Sequence, residues 1–189
     1  MAEYRLVFNG PIITQSANAL RHRVAFILEQ ADFESLTLVF STSGGSTQDG
    51  INLYSFLRAL PIRVHGHAAG HVGSIGIPAF LGAHYRTMSR FSRFFFHPYD
   101  WTFPHANVLT ERIEEANIHL GSDRDLSRQI VQTNSNLQAD FLDRIYGAAA
   151  STVILSADEA LAAGLVQEIT ELNDRGAQQR NVKTWTVGW

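Results

Sequence analysis

Leu36-Thr37-Leu38-Val39-Phe40-Ser41-Thr42-Ser43-Gly44-Gly45-Ser46 is an apolar run that stops at paired glycines, with a helical pattern after it. Leu36 to Phe40 reads as a strand covered on both faces. Glycine takes positive φ without steric cost, so the chain can turn sharply at Gly44-Gly45 and leave a backbone N–H pointing outward. Working outward, strands alternate with helices. Tyr4 to Phe8 predicts a strand, and Ser16 to Gln30 a helix turning Leu20, Val24, Ala25, Ile27 and Leu28 inward. A helix from about Gln48 to Leu60 is stopped by Pro61, because proline disfavours helical geometry in the residue before it. Ile62 to His65 and Arg93 to Phe96 predict further strands, and Ile75 to Leu81 a short apolar helix. This alternation is the pattern of an α/β layered sheet.

From about Asn107 to Tyr146 the chain turns polar and helical. Leu109, Ile113, Ile118, Leu126, Ile130, Leu137, Phe141 and Ile145 are spaced for one face, and a break is expected near Gly121-Ser122. The last helix is signed by Ser156 and Glu159, a capping pair, and by Gly164 at its C-terminal end. Residues 1–172 read as one domain and 173–189 as a C-terminal tail with a linker-like start at Asn173 to Asn181.

The chain of 189 residues is 45% hydrophobic, enough for one substantial core. It has no cysteine, which excludes a disulfide framework, a thiol nucleophile and thiolate metal ligands. The start Met1-Ala2-Glu3-Tyr4-Arg5 lacks a signal-peptide layout, and no apolar run approaches the roughly 20 residues of a membrane span. A cytoplasmic protein is expected. A net charge of -3, from 15 basic and 18 acidic residues, points to neither nucleic acid nor a membrane surface as a partner.

Ser74 lies in Gly73-Ser74-Ile75-Gly76, and His97 follows in Phe94-Phe95-Phe96-His97-Pro98. A hydroxyl nucleophile needs a base within hydrogen-bond reach and donors for the oxyanion formed at an attacked carbonyl. Ser74 and His97 are candidates for the first pair, and the turn at Gly44-Gly45 and the N–H of Ile75 for the second. A glycine-flanked serine is more often a helix cap, and a histidine on an apolar strand is more often buried with a backbone partner. The coincidence of all three features along one chain is what those readings explain poorly.

Taken together, Phe40-Ser41-Thr42-Ser43-Gly44-Gly45-Ser46, Ile51-Asn52-Leu53-Tyr54-Ser55-Phe56-Leu57-Arg58, Gly73-Ser74-Ile75-Gly76, Phe95-Phe96-His97-Pro98 and Ser156 to Val166 resemble the proteolytic subunit of the Clp protease family, in order and approximate spacing, over roughly Tyr4 to Ile169. The resemblance implies a layered α/β fold of the Clp protease/crotonase type, built from repeated β-β-α units with a projecting helical handle at about 107–146. It implies a serine peptidase with Ser74 as nucleophile, His97 as base and the N–H groups of Gly45 and Ile75 as oxyanion hole, acting on peptides without metal or organic cofactor. It also implies a homo-oligomer, a ring of about seven subunits or a double ring. An ATP-dependent unfoldase partner is less expected, since the chain begins almost directly at its first strand.

The departures are specific. Thr152 stands where the family carries the aspartate that orients the histidine, with Asp100 as an alternative acid; Ser43 replaces the proline of the oxyanion turn; and the connection before Thr152 is shortened to Gly147-Ala148-Ala149-Ala150-Ser151. These keep a catalytically weak or inactive ring subunit in view, and a crotonase-like acyl-CoA binder beside it. His65, His67 and His71 form a rival metal-binding constellation, although Ala69 and Gly70 break the usual hydrolase pattern. A serine–lysine dyad is excluded because Lys183 in the tail is the only lysine.

Overall fold

The computed structural model describes residues 2–100, 102, 107–172 and 182–187. Strand β1 (Ala2–Asn9), helix α1 (Thr14–Leu28), β2 (Phe33–Thr42), α2 (Thr47–Ala59), β3 (Val64–Gly73), α3 (Gly76–Phe80), β4 (Tyr85–Met88) and β5 (Arg93–Phe96) form the first part. Then come α4 (Thr110–Thr133), α5 (Ala139–Tyr146), β6 (Val153–Leu155), α6 (Ala157–Ala162), β7 (Glu168–Ile169) and β8 (Val182–Thr186). The fold is the mixed α/β arrangement expected, with an eight-stranded sheet among the described residues running β6-β5-β3-β2-β1-β8, and β4 and β7 branching from β3.

The branch is what positions the site. The first half of β3 pairs with β4, His65 to Ala68 opposite Tyr85 to Met88, and its second half pairs with β5, His71 to Gly73 opposite Arg93 to Phe95. Between them sits Gly70 at φ 111, a left-handed conformation that glycine tolerates. One strand therefore serves two neighbours before entering α3.

Alternate side chains of the central strands, Tyr4, Leu6 and Phe8 with Leu36, Leu38 and Phe40, are buried in one core with Leu20, Val24 and Ile27 of α1. Phe40 packs on Phe8 at 5.0 Å and on Phe80 of α3 at 6.2 Å. The other face differs from the expectation for β2, because Thr37 and Val39 join Arg5, His65 and His67 there, and strand period two gives that face a polar character.

Further expectations need correcting. The strand expected at Ile62 to His65 begins at Val64 and runs to Gly73, because Gly66, Gly70 and three histidines dilute its apolar signal. Ala25 of α1 is exposed. Helix α4 passes unbroken through Gly121, since one glycine costs a helix only about 1 kcal/mol. The break falls instead at 134–138, where Ser135 Oγ donates to the Val131 carbonyl at 2.7 Å and Asn134 Nδ2 to the Ile130 carbonyl at 2.8 Å. Such side chains compete with the backbone ladder. The stretch expected as a tail returns Val182–Thr186 to the sheet as β8, parallel to β1. Lys183 donates to Asp32 at 2.7 Å and Trp185 stacks on Tyr4 at 5.2 Å, while Trp189 lies outside the described residues. Ser156 and Glu159 cap α6 reciprocally, and Gly164 follows it at φ 70, as the sequence indicates. No helix among the described residues is long and apolar enough to cross a membrane.

The short strand β4 brings in Arg86, which is 6% exposed. Its guanidinium donates to the carbonyls of Leu165 at 2.8 Å, Ala83 at 3.2 Å, Asn134 at 3.1 Å and Gly164 at 3.4 Å. These carbonyls lie at or just past the C-terminal ends of α3, α4 and α6, where the chain has left the helical ladder. Arg86→Ala strands them in the interior, so unfolding in urea should show a loss of about 3 kcal/mol or more. Arg86→Lys should recover little of it, because an ammonium cannot reproduce the planar fork.

Candidate active site

Strand β3 ends at Gly73 and α3 begins at Gly76, so Ser74 occupies a two-residue turn from strand to helix. Its φ of 53 makes it the one non-glycine residue with positive φ among the described residues. A side chain in this region costs on the order of 1–3 kcal/mol and persists only where surroundings enforce it. Here the Ser74 N–H donates to the Phe95 carbonyl at 2.8 Å, and the Ser74 carbonyl accepts from Ile77 at 3.1 Å. The loop after β2 closes from the other side. A Cβ on Gly44 would lie 2.5 Å from the Cβ of Ser74, so glycine is the residue that allows this approach.

Gly44 and Gly45 both have positive φ, 106 and 145. Gly45 forms a parallel bridge with Ile12, in which the Ile12 N–H donates to the Gly44 carbonyl and the Ser46 N–H to the Ile12 carbonyl, each at 2.8 Å. Ile12 thus bonds the residues flanking Gly45, and the N–H of Gly45 itself points the other way. The Ile75 N–H belongs to the unsatisfied first turn of α3. Neither N–H donates to another described residue. The Ile75 side chain is fully buried against Gly50 of α2, where an added Cβ would lie 2.3 Å from it. Gly50 is not apparent from the sequence alone, although a glycine in the first turn of a helix was the available signal.

Ser74, His97, Gly45 and Asp100 line one cavity of about 260 Å³, with Gly44, Ser43, Pro11, Thr47 and Tyr99. Ser74 Oγ and the imidazole do not hydrogen-bond to each other. The ring packs at a tilt against Phe95, centroids 5.5 Å apart, and its Nδ1 lies 2.7 Å from the Pro98 carbonyl oxygen. A carbonyl oxygen only accepts, so Nδ1 carries a proton, and in the neutral ring this leaves the lone pair on Nε2, the tautomer a general base requires. Asp100 lines the cavity but makes no ion pair with His97. Thr152 is exposed and outside the lining, yet the β5–β6 register of Phe96 opposite Val153, extended by one residue, sets it opposite His97. Tyr99 enters the cavity with a phenol that burial pushes up to about 12, so it stays neutral. A larger cavity of about 670 Å³ shares Gly45, Thr47 and Asp100 and runs between α2 and α4 over Ile51, Leu120 and Leu126.

The rival histidines separate. His65 Nε2 and His67 Nδ1 each lie 2.8 Å from Thr87 Oγ1, whereas His71 lies in the other half of β3, tilted against Phe95 at 5.4 Å.

A family model described as Clp protease matches residues 1–173. Compared with curated proteins, the chain matches none.

The contact at Gly44 is open to direct test. Gly44→Ala drives a methyl into Ser74 at a φ that side chains rarely adopt, which should cost about 1–3 kcal/mol in urea unfolding. The same variant should react with a fluorophosphonate at least tenfold more slowly than the parent protein, because the displaced turn carries the hydroxyl.

Proposed function

The chain belongs to the Clp protease family, and from that premise we propose that it is a serine peptidase using Ser74 as nucleophile and His97 as base. The observation that carries this reading is the left-handed turn of Ser74 beside Gly44, in a cavity it shares with His97. A strained strand-to-helix turn is a recurrent way of presenting a hydroxyl beside backbone donors. Ser74 Oγ attacks the peptide carbonyl, and its proton passes to His97 Nε2. The N–H groups of Gly45 and Ile75 hold the oxyanion. Collapse breaks the C–N bond, the leaving amine takes the proton from His97, and water activated by the same imidazole then hydrolyses the acyl-serine. The groove between α2 and α4 gives room for an extended chain with apolar side chains. No step calls for a cofactor.

Thr152 and Asp100 favour a second reading, a weakly active or inactive ring subunit. The Pro98 carbonyl fixes the tautomer of His97 but offers only a peptide dipole to the imidazolium, where a buried carboxylate would offer a full charge. An acyl-CoA binder of the crotonase kind has no such observation behind it. Assembly into a homo-oligomeric ring is part of the proposal. Its motive is α4, a rod of 24 residues and about 36 Å. Leu109 just before it and Ile118 on it are each 72% exposed, and Ile113 and Leu126 are exposed beside them. A monomer seldom leaves so many large apolar side chains along one helix to water.

Fluorophosphonate labelling is expected on the wild type and absent from Ser74→Ala, with unchanged circular dichroism; equal labelling of the two excludes Ser74. Thr152→Asp should raise peptidase turnover by about tenfold to a thousandfold if the register sets the new carboxylate on His97. A folded variant with unchanged turnover points to another orienting group. Native mass measurement at micromolar concentration should find an assembly of about seven subunits or twice that number, and a stable monomer contradicts it.

A further inference from the structure

The dipeptide His97-Pro98 is held from both sides by one ring. Phe96, which is buried, and Tyr99, which is half-buried, flank it in sequence, and each meets Tyr146 edge-on. Both pairs have centroids 6.4 Å apart, with planes at 86° for Phe96 and 82° for Tyr99. Edge-to-face is a preferred meeting of aromatic rings, because the positive rim of one faces the negative face of the other. Tyr146 is the last residue of α5, buried in the core with Leu142 and Ile145 of the same helix. It is not among the residues lining the Ser74 cavity or the groove between α2 and α4.

Backbone geometry turns these contacts into an orientation of His97. Proline holds its own φ at about −65°, and the peptide unit joining Pro98 to Tyr99 is a rigid plane. Rotation about the ψ of Pro98 therefore swings the Pro98 carbonyl and the start of Tyr99 as one body. With the Tyr99 ring seated on Tyr146 that rotation is stopped, and the carbonyl stays where it accepts from His97 Nδ1 at 2.7 Å. Phe96, in register opposite Val153 of β6, fixes the other end of the segment. We propose that Tyr146 is a positioning residue for His97: through Phe96 and Tyr99 its ring holds the Pro98 carbonyl against the imidazole and keeps Nε2 as the unprotonated nitrogen. The ring acts here and not the phenol hydroxyl. The consequence for catalysis rests on the peptidase reading of Ser74 and His97.

Nitrogen NMR spectra of the full chain with isotope-labelled histidines read the tautomer directly at about pH 8.5, above the ordinary imidazole value of roughly 6.5. The His97 signals are assigned by their absence from His97→Gln. The wild type and Tyr146→Phe should show the ring protonated on Nδ1, and Tyr146→Leu a mixture of the two tautomers. Tyr99→Leu, at a half-buried position that is gentler on the fold, should show the same mixture. On a fluorogenic peptide, Tyr146→Leu should lower kcat about tenfold to a hundredfold with KM unchanged. Tyr146→Phe, which keeps the ring, should recover that loss to within about twofold. A tautomer unchanged in either leucine variant, a loss that falls on KM, or a Tyr146→Phe as impaired as Tyr146→Leu each overturns the proposal. If the tautomer shifts as expected in a protein whose wild type cleaves no peptide, the positioning role stands and the peptidase reading falls.

Discussion

The geometry of the candidate site rests on the enforced left-handed turn of Ser74. Three separate parts of the chain hold it. Strand β5 supplies the Phe95 carbonyl that takes the Ser74 N–H, α3 supplies Ile77 for its carbonyl, and the loop after β2 supplies the close approach of Gly44. Each of these depends on something further out. Strand β5 reaches Ser74 only because β3 bends at Gly70 and changes neighbour. The glycine loop is pinned by its bridge to Ile12, and α3 is seated by Ile75 filling the space left by Gly50. The two backbone N–H groups beside the serine therefore come from chain segments thirty residues apart in numbering, at 45 and 75, with no freedom to separate.

Much of this was legible because it is local. The apolar run Leu36 to Phe40, the glycine pair, Pro61 after α2 and the Ser156–Glu159 cap each announce themselves through the conformations or bonds their residue types favour. What was not legible depends on the tertiary structure. β3 is rich in glycine and histidine because it serves as a branch point, so it lacks the pattern of a buried strand. β4 carries a buried arginine whose role is invisible until three helix ends converge on it. β8 is a strand only because Tyr4 and Asp32 wait on the neighbouring edge. At the candidate site, residue types pointed to Ser74, His97, Gly45 and Ile75, of which the first three line one cavity. They could not give the Pro98 carbonyl, since every residue has one.

That carbonyl bears on how the site is tuned. Orientation and electrostatic stabilisation of an imidazole usually come from one carboxylate, and here they are separable. Pro98 provides orientation. Among the described residues no anion touches the ring, and its half-buried position still leaves water to solvate the imidazolium. A peptidase built this way relies more heavily on its oxyanion donors and on substrate alignment in the groove between α2 and α4.

Arg86 has a bearing on synthesis of the chain. Its acceptors lie 3, 48 and 79 positions away, at Ala83, Asn134 and Leu165. On a ribosome, the arginine emerges long before the last of them. Until residue 165 has cleared the exit tunnel, the guanidinium can be buried only at the cost of an unmet charge, so every shorter nascent chain keeps it in water and the core around it open. Closure of the interior therefore waits for residue 165, and a product terminated before it keeps that core open to water.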